Sequence, residues 1–243
     1  SMLRFRIAQF NHTLGLYEEA LSLMPEVLDE ARRLVSQGII TEGLFAVLAA
    51  THGAMLAGGG HPEEARQELA EALQTTLAEK WLLQHGDAIL TWARGILLVP
   101  TDELLRQALE LAMTALNRFG KAAPWNFDAG AAHVVLAQLH LALGENGPAL
   151  EHAKKALAFQ NARHYDIECF HFTLARALRQ NGCGAEAADV IRTAYQRALL
   201  VAARTPDPEV QAAWLERVPV NRAIISWWEA LNQPGGPAIV ATP

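Results

Sequence analysis

A possible set of metal ligands lies on one predicted helix. His164, Glu168 and His171 are spaced by four and three residues, which places them on one helical face, and Cys169 lies beside them. Three such side chains could in principle hold a metal ion. However, His171 occupies the same place in a repeated pattern as His133 does 38 residues earlier, which favours packing between helices. We therefore predict a structural role for these residues and no metal site.

Motifs for nucleophilic catalysis and for phosphate binding are poorly represented. Cys169 and His171 are two residues apart, so they point in different directions on a helix, which argues against a nucleophile and its base. None of the four serines lies in a Gly-x-Ser-x-Gly motif. The glycines at 58–60 precede His61 and Pro62 instead of Lys and Ser or Thr, so they predict a turn between helices. The sequence predicts no catalytic residue, no cofactor and a protein that is not an enzyme.

Composition and charge argue against several other classes of protein. Of the 243 residues, 51% are hydrophobic and 19% are charged, which is enough apolar surface for a sizeable core and argues against disorder. A net charge of −6 without a basic stripe argues against direct binding to nucleic acid. The apolar runs are far shorter than the roughly 20 residues that cross a bilayer. We expect a soluble protein that does not contact membranes.

The cysteines and the first residues give expectations about the setting of the chain. Cys169 and Cys183 have no CxxC spacing, which fits a reducing compartment and predicts a cytoplasmic location. Ser1 and Met2 are typical of a cloning remnant, and a helical pattern follows at once. This suggests a fragment of a longer protein.

Small residues recur along the chain and indicate a helical repeat. One pattern occurs twice with identical spacing, 38 residues apart, and in part twice more nearer the N-terminus. The four copies are Leu136-Ala137, Gly144, Ala149, Ala153 and Ala156; Leu174-Ala175, Gly182, Ala187, Ile191 and Ala194; Ile7-Ala8, Gly15, Ala20, Met24 and Val27; and Gly53, Gly60, Ala65, Leu69 and Ala72. In each copy a glycine turn ends one helix, and small residues about four apart line the next. We name these positions on each second helix the alanine ladder.

A fifth, degenerate copy is predicted between Gly60 and Gly144, with its turn near Pro100 and Asp102 and its ladder at Ala108, Ala112 and Ala115. Asp207 and Pro208 then predict the start of a further helix, and Pro219 separates it from a last one. We predict a single domain over 1–232, with repeats of about 1–39, 40–84, 85–122, 125–162 and 164–205 and a two-helix cap over 207–232. Residues 233–243 are predicted to be a disordered tail.

The ladder resembles the tetratricopeptide repeat (TPR), which has a Leu-Gly/Ala pair followed by alanines at its twentieth and twenty-seventh positions. The periods of 38 to 45 residues exceed the family's 34, so longer helices are expected. The resemblance implies an all-α fold, namely a right-handed α-solenoid of about five TPR-like helical hairpins plus C-terminal capping helices.

The segment from Asp207 to Ile225 is similar to the end of TPR arrays in large bacterial signalling and transcriptional regulators. These regulators join a STAND or AAA-type ATPase to the array, with LuxR-type, AfsR-type or cyclase output domains. Trp214 and Val220 depart from the Phe and Glu that are usual there. The resemblance implies a sensor or scaffold array with an upstream ATPase as one partner.

A TPR solenoid lines its concave groove with fixed positions of each first helix. Carried onto this sequence, those positions are Phe5, Gln9, His12 and Thr13; Val47, Ala50 and Ala54; Val134, Gln138 and Leu141; and Phe172, Arg176 and Arg179. The groove would be apolar with a basic C-terminal end. Phe5 and Gln9 stand where carboxylate-clamping members of the family have Lys and Asn, so that clamp is not implied. The alternative for Arg176 and Arg179 is a solvated helix face.

The function that follows is a non-catalytic recognition module that binds a peptide or protein partner in the groove. Two alternatives stay open. A small-molecule sensor would have a pocket with polar groups such as Gln138 and Arg176 around an apolar floor. An oligomerisation scaffold, such as a homodimer, would associate near Trp227.

Overall fold

The computed structural model describes residues 2–78, 86–119, 129–159 and 167–233. Within these ranges the chain forms twelve α-helices and no strand, which confirms the all-α prediction. The helices are α1 (Met2–Thr13), α2 (Tyr17–Ser36), α3 (Glu42–Gly58), α4 (Pro62–Ala78), α5 (Gly86–Leu98), α6 (Asp102–Phe119), α7 (Ala129–Ala142), α8 (Asn146–Ala158), α9 (Ile167–Gln180), α10 (Gly184–Arg204), α11 (Pro208–Glu216) and α12 (Pro219–Asn232).

The helices belong to two compact units, Ser1–Asp128 with α1 to α6 and Ala129–Pro243 with α7 to α12. Each predicted repeat contains two consecutive helices, and the predicted cap contains α11 and α12. Within each unit, consecutive helices of a pair pack against each other. The single domain and the right-handed solenoid stay predictions, and the predicted tail lies outside the described residues except for Gln233.

Four of the hairpin turns use a glycine with a left-handed backbone. Gly15, Gly60, Gly144 and Gly182 have φ angles of 77°, 88°, 76° and 80°, a region in which a side chain would be strained. The N–H of the following residue donates to a carbonyl five residues back, at 2.8 Å for Glu145 to His140 and at 2.9 Å in the other three turns. This bonding closes each helix in a Schellman motif. The repeat glycines of the sequence are therefore helix terminators.

The turn of the third hairpin, between α5 and α6, has no glycine and is the place where the degenerate copy is predicted. Helix α5 ends at Leu98, and α6 begins at Asp102. The hydroxyl of Thr101 accepts a hydrogen bond from the N–H of Leu104 at 3.3 Å. A threonine cap thus starts the second helix without a glycine turn before it.

The alanine ladder is the contact face of each second helix. Its fifteen positions are between 0 and 3% exposed, namely Ala20, Met24, Val27, Ala65, Leu69, Ala72, Ala108, Ala112, Ala115, Ala149, Ala153, Ala156, Ala187, Ile191 and Ala194. At Leu69, a large ladder residue, the neighbouring helix carries a glycine: a Cβ on Gly53 would lie 2.8 Å from the Cγ of Leu69. Small residues thus permit the close approach of the helices.

The C-terminal helices cover the end of the second unit. Ile224 of α12 is fully buried with Ala175, Ile191 and Ala194 of α9 and α10. The carboxylate of Asp207 accepts a hydrogen bond from the N–H of Glu209 at 2.8 Å, which confirms the predicted cap of α11. This packing holds α12 against α9 and so fixes where the other side chains of α12 lie relative to α9.

Candidate functional site

A cleft of about 540 Å³ lies between α9 and α12 in the second unit, and we name it the arginine cleft. It is lined by Phe172, Arg176, Arg179 and Gln180 of α9 and by Ala223, Ser226, Trp227 and Ala230 of α12. No acidic side chain is among these lining residues. Three residues that the sequence assigned to the groove, Phe172, Arg176 and Arg179, therefore lie together.

The amphipathic pattern of α9 explains why these three side chains share one face. Phe170, Leu174, Ala177 and Leu178 are buried in the hydrophobic clusters of the unit. Burial of that face leaves Phe172 partly buried and Arg176 and Arg179 exposed on the opposite side of the helix. On the facing helix, small residues at 223, 226 and 230 leave open volume beside Trp227.

Each cleft arginine lies over an aromatic ring. The Cζ of Arg176 is 5.9 Å from the centroid of the Phe172 ring, and the Cζ of Arg179 is 5.2 Å from that of Trp227. The two rings meet edge to face, with centroids 6.1 Å apart. Cation–π contacts of this kind hold guanidinium groups in place without neutralising them.

The positive charge of the cleft has no carboxylate partner among the described residues. The ion pairs on the neighbouring helices α8 and α10 join Lys155 to Glu151 and Arg192 to Asp189. Partial burial of the Arg176 guanidinium lowers its pKa, and the Cys169 sulfur offsets part of that effect. Arginine nevertheless stays protonated at neutral pH because its ordinary pKa is so high. The cleft thus offers two unneutralised cations beside an apolar surface.

Gln138 connects α7 to α9 and is not a lining residue of the cleft. Its Nε2 donates to the hydroxyl of Thr173 at 3.1 Å and to the sulfur of Cys169 at 3.2 Å. Thr173 is itself buried. The amide that the sequence assigned to ligand recognition is therefore engaged in holding two helices together.

Four of the predicted groove residues, Phe5, Ala50, Ala54 and Val134, are buried in the core. Phe5 belongs to the first unit's cluster with Ala8 and Met24, and Val134 packs with Ala156 and Phe170. They are 8% and 1% exposed. Both are apolar side chains that face the neighbouring helices, and burying such a side chain stabilises a protein by about 1.5–3 kcal/mol. Neither is accessible to a ligand.

Gln9 and His12, two further predicted groove residues, lie on α1 in the first unit. The ring of His12 packs edge-on against Tyr17 with centroids 5.5 Å apart, and it hydrogen-bonds to the backbone of Ala54. Burial lowers the pKa of His12, and this bond partly opposes the shift. The Oε1 of Gln9 accepts a hydrogen bond from Arg6 at 3.4 Å. His12 thus ties α1 to α3.

The sequence analysis missed a second cleft, which lies in the first unit between α2, α3 and α4. It has a volume of about 370 Å³, and Glu64, Glu68 and Glu71 of α4 are among its lining residues. The Nδ1 of His52 lies 2.7 Å from the Oε2 of Glu68. The Cζ of Arg32 is 5.5 Å from the ring centroid of Phe45. In the sequence, the only indication of this cleft was the spacing of the α4 glutamates by three or four residues. This spacing is equally typical of a solvated helix face.

Three of the candidate metal ligands, Glu168, Cys169 and His171, lie on α9. His164 lies outside the described residues. Glu168 is buried, and the Nδ1 of His171 lies 3.0 Å from the carbonyl oxygen of Ile167. Burial lowers the pKa of His171. Within the described ranges, no three His, Cys, Asp or Glu residues are arranged to hold a metal ion.

Comparison with known proteins gives no family for this chain. No protein-family model matches the sequence, and no curated protein matches it either. Among the helices described, none combines the length and the apolar character needed to cross a membrane. Functional inference therefore depends on the residues of the two units themselves.

Proposed function

We propose that this chain is a non-catalytic recognition module of the TPR type, and that the arginine cleft binds an acidic segment of a partner protein or peptide. The carrying observation is the pair Arg176 and Arg179, two guanidinium groups stacked on aromatic rings without a carboxylate partner in the described chain. Guanidinium groups form strong, geometrically specific hydrogen bonds with carboxylates.

The shape of the cleft suits a ligand that combines negative charge with apolar surface. Phe172 and Trp227 provide aromatic surface between the two arginines, and the small residues Ala223 and Ala230 leave room for side chains. Aromatic and arginine side chains together are also the residue types most often found at the energetic centre of protein interfaces. An acidic peptide with an aromatic or aliphatic residue matches both features.

Binding would act on the protein through linkage. The cleft is formed by α9 of the fifth hairpin and α12 of the cap, so a ligand that contacts both helices favours the docked position of the cap. Such a ligand shifts the equilibrium between two arrangements by its differential affinity for them. The proposal assigns this linkage a sensing role within a larger cytoplasmic bacterial regulator, with an upstream ATPase as the responding partner, as the resemblance to TPR arrays implies.

A small-molecule sensor is the second candidate function. The volume of about 540 Å³ falls within the roughly 300–1,000 Å³ that is usual for small-ligand sites. An acidic metabolite with an apolar body would use the same two arginines. The two candidates differ only in the ligand, so one experiment can separate them.

The experiment is a thermal-shift screen of the whole chain against acidic peptides and anionic metabolites. A ligand that binds only the native state raises the melting temperature. We expect the shift to disappear in Arg176→Glu/Arg179→Glu and to persist in Arg204→Glu/Arg222→Glu, which reverses two exposed arginines of the same unit outside the cleft. A peptide hit supports the first candidate and a metabolite hit the second. A shift that persists in the cleft variant would refute the site.

A further inference from the structure

The first helix exposes a stripe of large apolar side chains. Leu3, Ile7 and Phe10 are 74%, 43% and 64% exposed, and Leu14 continues the stripe just beyond the end of the helix. We name these four residues the α1 seam. Single exposed apolar residues are ordinary, but a contiguous row on one helix face usually marks an interaction surface.

Two positions of the seam are buried in the equivalent helix of the next hairpin. Aligned on the turn glycines Gly15 and Gly60, Leu3 corresponds to Leu48 and Phe10 to Met55. Both α3 residues are buried in one cluster with Met24 and Leu28 of the preceding hairpin. Leu3 and Phe10 of the seam thus correspond to positions of α3 that pack against the preceding helix in the same unit.

The second unit repeats this relationship. In α9, Phe170 and Ala177 correspond to Leu3 and Phe10 when the turn glycines are aligned. Phe170 packs with Val134 and Ala156, and Ala177 packs with Ala149 and Ala153. The equivalent positions of α9 thus pack against a neighbouring helix, whereas no described helix of the first unit covers the α1 seam.

The spacing of the seam is suited to pairing with an identical helix. Its residues are separated by four, three and four positions, which is the spacing of the apolar seam of a coiled coil. A hairpin stacked head to tail would instead need a free alanine ladder. All the ladders of the described helices are already buried, so a head-to-tail copy would find no free ladder, whereas the seam of a second copy has the matching spacing.

The charges that flank the seam indicate the direction of the pairing. Arg4 and Arg6 lie near the start of α1, Asn11, His12 and Thr13 lie near its end, and the helix contains no acidic residue. Arg4 is paired with Glu26 of α2, so Arg6 carries the charge that bears on the direction of the pairing. Parallel helices would bring the arginines of both copies to the same end. Antiparallel helices place the arginines of one copy opposite the neutral polar residues of the other, which avoids like-charge contacts.

We propose that two copies of this chain associate through antiparallel packing of their α1 seams around a two-fold axis. Such an interface is isologous, because each copy contributes the same patch. A seam of three turns buries a few hundred Å² per copy, which is below the area of a stable obligate dimer. The dimer is therefore weak and reversible, and its population rises with concentration. This surface is independent of the arginine cleft.

Sedimentation of the whole chain from about 1 to 200 µM tests the proposal, because weak interfaces dissociate within such a range. We expect a concentration-dependent dimer, and at least a tenfold weaker association in Phe10→Glu. The matched control is Leu200→Glu, which alters an apolar residue of similar exposure on α10. A monomer at every concentration would overturn the proposal, and so would a dimer that Phe10→Glu leaves intact, such as one near Trp227.

Cross-linking tests the direction. With Cys169 and Cys183 changed to serine, we mix Ile7→Cys chains with Phe10→Cys chains under mild oxidation. The antiparallel pair brings position 7 of one copy next to position 10 of the other, so the mixed product should dominate. Circular dichroism should show the native helix content in each variant. Predominant products of each variant with itself would contradict the antiparallel arrangement.

Discussion

The Nδ1 atoms of His133 and His152 lie 2.9 Å apart, across the contact between α7 and α8. At this distance the two rings share one hydrogen bond, so one nitrogen donates and the other accepts. Phe159 stacks on His133, and His140 stacks on His152. The accepting imidazole must therefore be neutral, and both rings lie in a partly buried cluster of rings.

The first prediction concerns the pH dependence of stability. Burial lowers the pKa of His152 to about 4, with further lowering by the charges of His133, His140 and Lys155, which Glu151 opposes. Burial also lowers the pKa of His133. The charge of Lys155 lowers it further, and the charge of Glu151 opposes the shift. The unfolded chain takes up protons near its ordinary histidine pKa of about 6.5, before the folded chain does. Stability is therefore full above this pH and falls as the pH decreases toward 4.

For His152 the full difference would correspond to about 3.5 kcal/mol at about 1.4 kcal/mol per pKa unit, and because the residue is only half-buried, solvent screening makes the expected loss smaller than this. Urea unfolding at pH 7 and pH 4.5 measures it. The carboxylates of the protein also titrate in this range, so the informative quantity is the difference between the wild type and His133→Gln/His152→Gln. We expect a flatter profile in that variant, whereas His61→Gln on the first unit should keep the wild-type slope. Equal slopes in all three proteins would contradict the prediction.

The second prediction concerns the close approach at Gly53. An added Cβ would lie 2.8 Å from the Cγ of Leu69, a fully buried ladder residue that cannot move into solvent. We expect Gly53→Ala to reduce the free energy of unfolding by about 1–3 kcal/mol because of overpacking. In the background of Leu69→Ala the same change should cost much less. A double-mutant cycle from denaturant unfolding measures this coupling, and additive effects would disprove the contact.

The third prediction separates backbone strain from crowding. Gly144 has a φ of 76°, yet an added Cβ would meet no atom within 4 Å. Gly144→Ala should therefore cost about 1–2 kcal/mol through its left-handed backbone alone. Gly147, in the first turn of α8, has equally open space but no positive φ. Gly147→Ala should leave the melting temperature unchanged or raise it.

The same glycines show which parts of the fold the sequence could predict. A Schellman turn is formed by neighbours in the chain, so the spacing of Gly144 and Gly182 was sufficient to locate two helix ends. The predicted cap at Asp207 is local for the same reason, and it too is confirmed. Burial of the ladder followed from periodicity, because one helix face must meet its partner helix.

The groove residues depended on contacts between distant segments, and the sequence alone could not assign them. An apolar residue such as Val134 could line a groove or lie in the core. Its packing with Phe170, which the sequence does not show, places it in the core. Trp227 reaches the arginine cleft because α12 docks on α9, 55 positions from Phe172 in the chain. The pair of His133 and His152 was missed for the same reason, since nothing in the local pattern indicates that the two rings meet.

The fourth prediction tests the role of Gln138. Its amide donates to Thr173 and Cys169, so Gln138→Leu removes both hydrogen bonds between α7 and α9 and leaves the buried Thr173 hydroxyl without this donor. We expect a loss of about 1–3 kcal/mol in the free energy of unfolding. A ligand of the arginine cleft should bind the variant with unchanged affinity, because Gln138 does not line the cleft. Isothermal titration with such a ligand, beside denaturant unfolding, measures both quantities. A large loss of affinity with unchanged stability would instead support the groove role that the sequence predicted for Gln138.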